Sequence, residues 1–302
     1  MRNEFAAAIE RIGREDDKVV FLTGDLGYNA LENVVGALGP RFINAGVAEQ
    51  NMVGMAAGLA YRGYKVFCYS IAPFAVYRCL EQFRNDVCLH NMPVFIVGNG
   101  GGYGYGIMGS THHAIEDLAC LSGLQNVKTY IPAFADEVSP MLDQIVAEAG
   151  PAYLRLGVGG KTPDESPIAG TFKHIVRSDE AKGTIISLGP VTANVMTALQ
   201  DESLAGRFDV FTAMNLPLDL PADLAAQWAG KPMLVVEEHV ATGGLGQQLS
   251  AQLLSSGNAP ARFISLTAQG YPNGLYGDQK YHQQQSGLDP ANIARQLQSL
   301  VN

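Results

Sequence analysis

Residues 44 to 58 read Asn-Ala-Gly-Val-Ala-Glu-Gln-Asn-Met-Val-Gly-Met-Ala-Ala-Gly, and the reading of this stretch decides the fold. Its spacing predicts a helix over 47–61 with Glu49 in the first turn and almost only small residues behind it: Gly54, Ala56, Ala57 and Gly58. Small side chains let another backbone or a flat ligand approach a helix closely, at some cost in helix propensity. A first-turn Glu is favoured by the helix dipole whatever else it does, so the pattern alone leaves a structural and a functional role equally open. On either side lie short apolar, β-rich runs, 19–23 and 65–69, bounded by polar residues and glycines. Further runs at 93–98, 127–131 and 152–156 alternate with helical patterns at 73–89, 113–121 and 135–149. That rhythm predicts a mostly parallel sheet covered by helices on both faces.

The segment from Gly157 to Gly170 is rich in Gly and Pro and poor in apolar residues, which reads as a linker. Beyond it the rhythm restarts, with strands expected at 183–188, 209–212, 233–237 and 262–266 and helices at 191–199, 245–254 and 290–300. The expected organisation is α/β throughout: two doubly wound, mostly parallel-sheet domains, 1–157 and 173–302, joined by a linker at 158–172.

Twenty basic against 29 acidic residues give a net charge of −9, which argues against a nucleic-acid backbone or an anionic membrane as partner. Cys68, Cys79, Cys88 and Cys120 lie in apolar or helical stretches and form no C-x-x-C pair, as expected of reduced thiols in a cytoplasmic protein rather than of a zinc site. No apolar run is long enough for a bilayer, and the first residues lack the apolar core of a signal peptide.

Two further stretches carry candidate chemistry. From Tyr69 to Asp86 a strand end runs into a helix with Pro73 in its first turn, and Phe74 and Tyr77 share one helical face. From Gly98 to Asp117 a glycine-rich loop follows a strand. It lacks the Lys-Ser/Thr of a phosphate-binding loop and is too long for G-x-G-x-x-G to open the next helix. It ends in Thr111, His112 and His113.

Together these three stretches resemble the pyrimidine domain of transketolases, 1-deoxyxylulose-5-phosphate synthases and the beta subunits of pyruvate-type dehydrogenases, with split transketolases the nearest match. The resemblance implies an enzyme that uses thiamine diphosphate. Glu49 then matches the acid that hydrogen-bonds N1′ of the aminopyrimidine, Phe74 the ring that stacks on it, and Tyr77 a further aromatic. Asp25, in Thr23-Gly-Asp-Leu-Gly, matches a residue of the cofactor pocket wall. His112 matches the histidine that faces the reacting carbon and the substrate oxygens, with His113 beside it as a substrate-binding residue. The physical logic is that burial favours a carboxyl's neutral, proton-donating form while a helix N-terminus favours its charged form.

The resemblance covers the middle and last domains of a full-length transketolase and omits the first. No G-D-G…N loop for the diphosphate is present; Gly24-Asp25-Leu26 and Gly277-Asp278-Gln279 come nearest. The cofactor's diphosphate and its Mg²⁺ or Ca²⁺ are therefore expected on a separate N-terminal subunit, in an α2β2 assembly that also pairs two copies of this chain. The expected reaction is transfer of a two-carbon ketol unit from a ketose or its phosphate to an aldose. Met108, Gly100 and Val158 depart from the residues with which transketolases read substrate hydroxyl and phosphate groups. The alternatives are the beta subunit of a 2-oxoacid decarboxylating dehydrogenase and a non-catalytic regulatory α/β subunit.

Overall fold

A computed structural model describes residues 1–163 and 170–301; residues 164–169, in the middle of the expected linker, lie outside the described residues. Among the described residues twelve strands form two sheets, and the fold is α/β as expected. The first sheet comprises β1 (Val19–Thr23), β2 (Phe42–Asn44), β3 (Lys65–Ile71), β4 (Val94–Asn99), β5 (Lys128–Tyr130) and β6 (Ala152–Leu156). The second comprises β7 (Phe172–Val176), β8 (Gly183–Leu188), β9 (Phe208–Ala213), β11 (Pro232–Glu237) and β12 (Arg262–Leu266), in the order β12-β11-β8-β9-β7. Between β9 and β11 the two-residue strand β10 (Asn215–Leu216) crosses back and pairs antiparallel with β5, so the first sheet runs β10-β5-β6-β4-β3-β1-β2. Apart from β10 on β5 and β7 on β9, every pairing is parallel.

The strands are apolar on both sides because both sheet faces are covered, as parallel sheets require. On one face of the first sheet, helix Arg2–Glu15 buries Phe5, Ala8, Ile9 and Ile12 at helical spacing against Phe21 and Phe95. Burying each such aromatic contributes about 2–3 kcal/mol. On the other face, helix Glu49–Tyr61 and the helical segments after β3 pack Met52, Val53 and Phe83 onto Ile96. That second core continues through Ile131, Leu188 and Leu216 to Trp228 and Leu249, on the helices Ala222–Trp228 and Leu245–Ser255 of the second domain. The two sheets therefore share one apolar interior through β10.

Several helices depart from the sequence expectation, each for a local reason. The helix expected over 113–121 begins only at Asp117, because Gly102 and Ala114 exchange backbone hydrogen bonds (2.9 Å each way) and draw the preceding residues into the loop. The helix expected over 73–89 is broken into Ala72–Tyr77, a short turn at Leu80–Gln82 and a π-helical turn at Phe83–Cys88. Asp278, in the second of the two Gly-Asp sequences, is a helix N-cap: its carboxylate accepts a hydrogen bond from the Tyr281 amide at 2.8 Å.

Candidate functional site

Helix Glu49–Tyr61 buries residues 49, 52, 53, 56 and 60, so Glu49 occupies the first position of an otherwise apolar stripe and is carried under the sheet's edge with 3% of its surface exposed. There it meets the C-terminal ends of β1 and β3, the edge at which open parallel sheets bind ligands. The Ser70 hydroxyl, from β3, donates to Glu49 Oε1 at 2.9 Å. Gly24, just after β1, lies so close that a Cβ there would stand 3.5 Å from the same oxygen and 3.3 Å from Ser70 Oγ. Glu49 Oε2 accepts from Arg78 at 3.0 Å. A cavity of about 410 Å³ opens beside Glu49 between Val47, Asn51 and Arg78. Cys79 is the next buried group; burial pushes its thiol up to about 12, with the charge of Glu49 adding to the shift.

β3 ends at Ile71 and the next helix, Ala72–Tyr77, carries Pro73 in its first turn, which sets Phe74 beneath Arg78 of this pocket's lining. One face of the Phe74 ring carries the Arg78 guanidinium, 3.9 Å from the ring centroid. The edge of Phe74 meets His112 at 5.1 Å, with the rings inclined at 67°. The structure thus gathers Glu49, Phe74 and His112 from three separate stretches of sequence. Tyr77 stands one turn on and bonds Glu116 Oε2 at 3.2 Å, fastening the far end of the His112 loop; burial raises its phenol above the ordinary value.

Asp25 lies on the rim, exposed, at φ +60° in the left-handed region, its carboxylate held by the Asn44 side-chain amide at 2.8 Å. It lines a second cavity of about 160 Å³ with Tyr28, Leu31 and Asn44. The His113 ring does not share the surroundings of its neighbour His112. It is buried against the second sheet's domain, with Nδ1 on the Tyr271 hydroxyl and Nε2 on the Gly106 carbonyl, both at 2.8 Å.

The three departures noted in the sequence have distinct surroundings. Gly100, at φ +74°, is packed against the Tyr105 ring, which any side chain at that position would strike. Gly100 and Val158 line one cavity of about 390 Å³, whose other walls include Arg2, Asn3, Asn99 and Tyr105. Arg2 brings a cationic side chain to that cavity, beside the Met1 ammonium and its ion-pair partner Glu4 (3.1 Å). Met108 is exposed at the end of the 3-10 turn Gly106–Met108. Among the described residues no group of three or more His, Cys, Asp or Glu could hold a metal ion, and no helix is long and apolar enough to cross a membrane.

Residues 1–159 match the family described as "Transketolase, pyrimidine binding domain". The chain belongs to the transketolase family. Among curated relatives, the transketolase-family chain is 31% identical over 264 residues to an apulose-4-phosphate transketolase subunit of Actinobacillus succinogenes, covering 84% of this chain and 82% of that one. It is 29% identical to the protein of the same name from Phocaeicola vulgatus, covering 97% and 95%. Among solved structures, one described as "Split gene transketolase, inactive beta4 tetramer" superposes with a TM-score of 0.81 at 28% identity, covering 99% of this chain and 97% of that one.

Ser70, Arg78 and Arg2 were not singled out in the sequence. Arg78 carries a readable signal, since it stands four residues after Phe74 and so shares its helical face. Ser70 and Arg2 join the site only through the sheet's edge and the packing of the first helix.

Proposed function

We propose that this chain is the pyrimidine-binding subunit of a two-component, thiamine-diphosphate-dependent transketolase, moving a two-carbon ketol unit from a ketose phosphate to an aldose acceptor. The observation that carries the reading is the convergence of Glu49, Phe74 and His112 at the C-terminal edge of the first sheet. When bound, thiamine diphosphate supplies the carbon nucleophile that takes up the ketol unit. The residues fit its pyrimidine half: a flat ring platform in Phe74, a buried carboxyl in Glu49, and an adjoining cavity.

Each residue has a definable task. Ser70 fixes Glu49 by donating to Oε1, and Oε2, which accepts from Arg78, is the oxygen that would turn to a ring nitrogen once the guanidinium gives way. Phe74 sets the plane of that ring. His112, within 3.0 Å of the Thr111 hydroxyl at Nδ1, presents its other ring nitrogen for proton transfer at the substrate oxygens. Arg2 supplies the charge for a substrate phosphate in the cavity where Gly100 and Val158 offer none. Both curated relatives above are named for apulose-4-phosphate, a phosphorylated compound, which agrees with that assignment.

The diphosphate and its Mg²⁺ or Ca²⁺ are assigned to the partner subunit, in an α2β2 assembly. The chain alone is then expected to be inactive, in keeping with the structural relative described as an inactive tetramer of beta chains. The test is reconstitution with the diphosphate-domain subunit, followed by calorimetry with thiamine diphosphate and an assay for aldose release from ketose phosphates. Saturable cofactor binding and ketol transfer by the pair only are expected. Decarboxylation of a 2-oxoacid without ketol transfer would overturn the reading.

A further inference from the structure

The loop between β4 and helix Asp117–Leu121 carries His112, and its own domain holds it mainly at the ends. Gly101 N donates to Leu156 O (3.0 Å), and Gly102 pairs with Ala114. Between these points the loop is gripped by the domain of the second sheet. Tyr103 N donates to Glu238 Oε1 at 2.6 Å, and its hydroxyl donates to Gly270 O at 3.0 Å. The Tyr103 ring lies flat on His282, with centroids 4.9 Å apart.

The bond pattern of His113 fixes its tautomer. The Gly106 carbonyl can only accept, so Nε2 carries the proton. Nδ1 is then bare and accepts from the Tyr271 hydroxyl, while the two rings stack at 17°. One residue earlier in the chain, His112 stands half exposed on the other side of the loop against Phe74. Fixing one ring of such a neighbouring pair fixes the backbone from which the other projects.

We propose that Tyr271 and His113 are positioning residues for His112, so that the second domain, far from the chemistry in sequence, sets where His112 stands over Phe74. This rests on the reading of His112 as the residue that faces the substrate. The energetic case is that His113 is buried and Tyr271 partly buried, in a pair joined by a 2.8 Å bond. Removing the Tyr271 hydroxyl leaves a buried acceptor unpaired. A misplacement of about 1 Å at a reacting group is enough to slow chemistry by about 10²-fold.

The test is Tyr271→Phe, which keeps the stacked ring and deletes one hydroxyl. It is made in the chain alone for amide exchange and in the reconstituted pair for kinetics. Expected are exchange at residues 102–114 faster by about tenfold, kcat lower by about tenfold, and KM and thiamine diphosphate affinity unchanged. His113→Gln, which keeps a donor for Gly106 O, is expected to lie between wild type and His113→Ala. Should Tyr271→Phe fail to fold, Tyr276→Phe reads the same clasp through its bond to Ser110 (3.0 Å). Unchanged kcat with faster exchange would overturn positioning and leave only a structural contact. Lower kcat with unchanged exchange would overturn it as well. A wild-type pair with no ketol transfer would sink the reading of His112 and the positioning role with it, whereas an active pair indifferent to Tyr271→Phe would sink the positioning role alone.

Discussion

The two sides of the proposed site are built in different ways. The Glu49 side is local: the acid and its hydroxyl partner Ser70 are 21 residues apart and belong to one sheet and the helix laid on it. The His112 side is remote: Tyr103 is held by Glu238 and Ser286, 135 and 183 residues away, across the boundary between the two sheets. A group fixed by its own strand end keeps its place as long as its sheet does. A group on a loop keeps its place only as long as the second domain grips that loop. The Glu49 side should therefore respond to changes among its immediate neighbours, and the His112 side to changes far from it.

The largest effect expected on the local side comes from Glu49→Gln, which preserves shape and the bond from Ser70 but cannot give up a carboxyl proton. In the reconstituted pair kcat should fall by about 10²–10⁴-fold, the usual weight of a general acid. Amide exchange in the loop over 102–114 should stay at the wild-type rate. A kcat close to wild type would remove Glu49 from the chemistry, and faster loop exchange would show that the two sides are not independent.

The next effect tests the remote side through pH. At the end of β11, Glu237 accepts from the amides of Leu245 and Gly246 (2.8 and 2.9 Å), and its burial raises its carboxyl to about 7. Two residues on, His239 accepts from Ala119 N at 3.2 Å, and burial lowers its imidazole to about 4. Glu237 has a folded value above its ordinary 4.5, so the folded chain binds the extra proton. Its contribution is whole below 4.5 and is lost as the pH rises to about 7. His239 has a folded value below its ordinary 6.5, so the unfolded chain binds the extra proton, and its contribution is lost as the pH falls from 6.5 to about 4. Each shift is worth about 3 kcal/mol, and the two nearly cancel in the native chain. Left with His239 alone, Glu237→Gln should itself lose about 3 kcal/mol as the pH falls from 6.5 to about 4, and His239→Gln, left with Glu237 alone, should lose as much as the pH rises from 4.5 to about 7. Denaturant titrations at four or five pH values measure both. Parallel pH profiles for all three proteins would break the compensation.

The same division governs how much was legible in the sequence. The limits of β1, β8 and β12 follow from apolar runs bounded by polar residues and turns. β2 and β10, of three and two residues, are too short to leave a pattern, and β10 owes its existence to an edge provided by β5. The first helix did leave a pattern, Phe5, Ala8, Ile9 and Ile12, which the charges at Glu10, Arg11 and Arg14 masked. At the site, Glu49, Phe74 and His112 stood out because each sits in a local motif. The clasp on His113 did not, because no spacing rule links Tyr103 to Glu238 or His113 to Tyr271. Contacts of that length are set by how the two sheets share their core.

Arg78 offers the smallest effect and the finest test of the local side. Its guanidinium occupies both features that the proposed function assigns to a bound aminopyrimidine, the face of Phe74 and Oε2 of Glu49. A flat heteroaromatic ring must displace it from both. The side chain is 45% exposed, so its ion pair is partly screened, and the stacking on Phe74 is worth about 1 kcal/mol at such a site. Arg78→Ala should then tighten thiamine diphosphate binding to the reconstituted pair by about tenfold, the equivalent of about 1.4 kcal/mol, with little change in substrate KM. Arg78→Lys keeps the charge beside Glu49 but loses the planar stack, and should fall between the two. Calorimetric titration of cofactor into all three proteins decides the matter. If Arg78→Ala binds more weakly than wild type, the guanidinium is a partner of the bound ring and not its competitor, and the local side of the site has one more member than Glu49, Ser70 and Phe74.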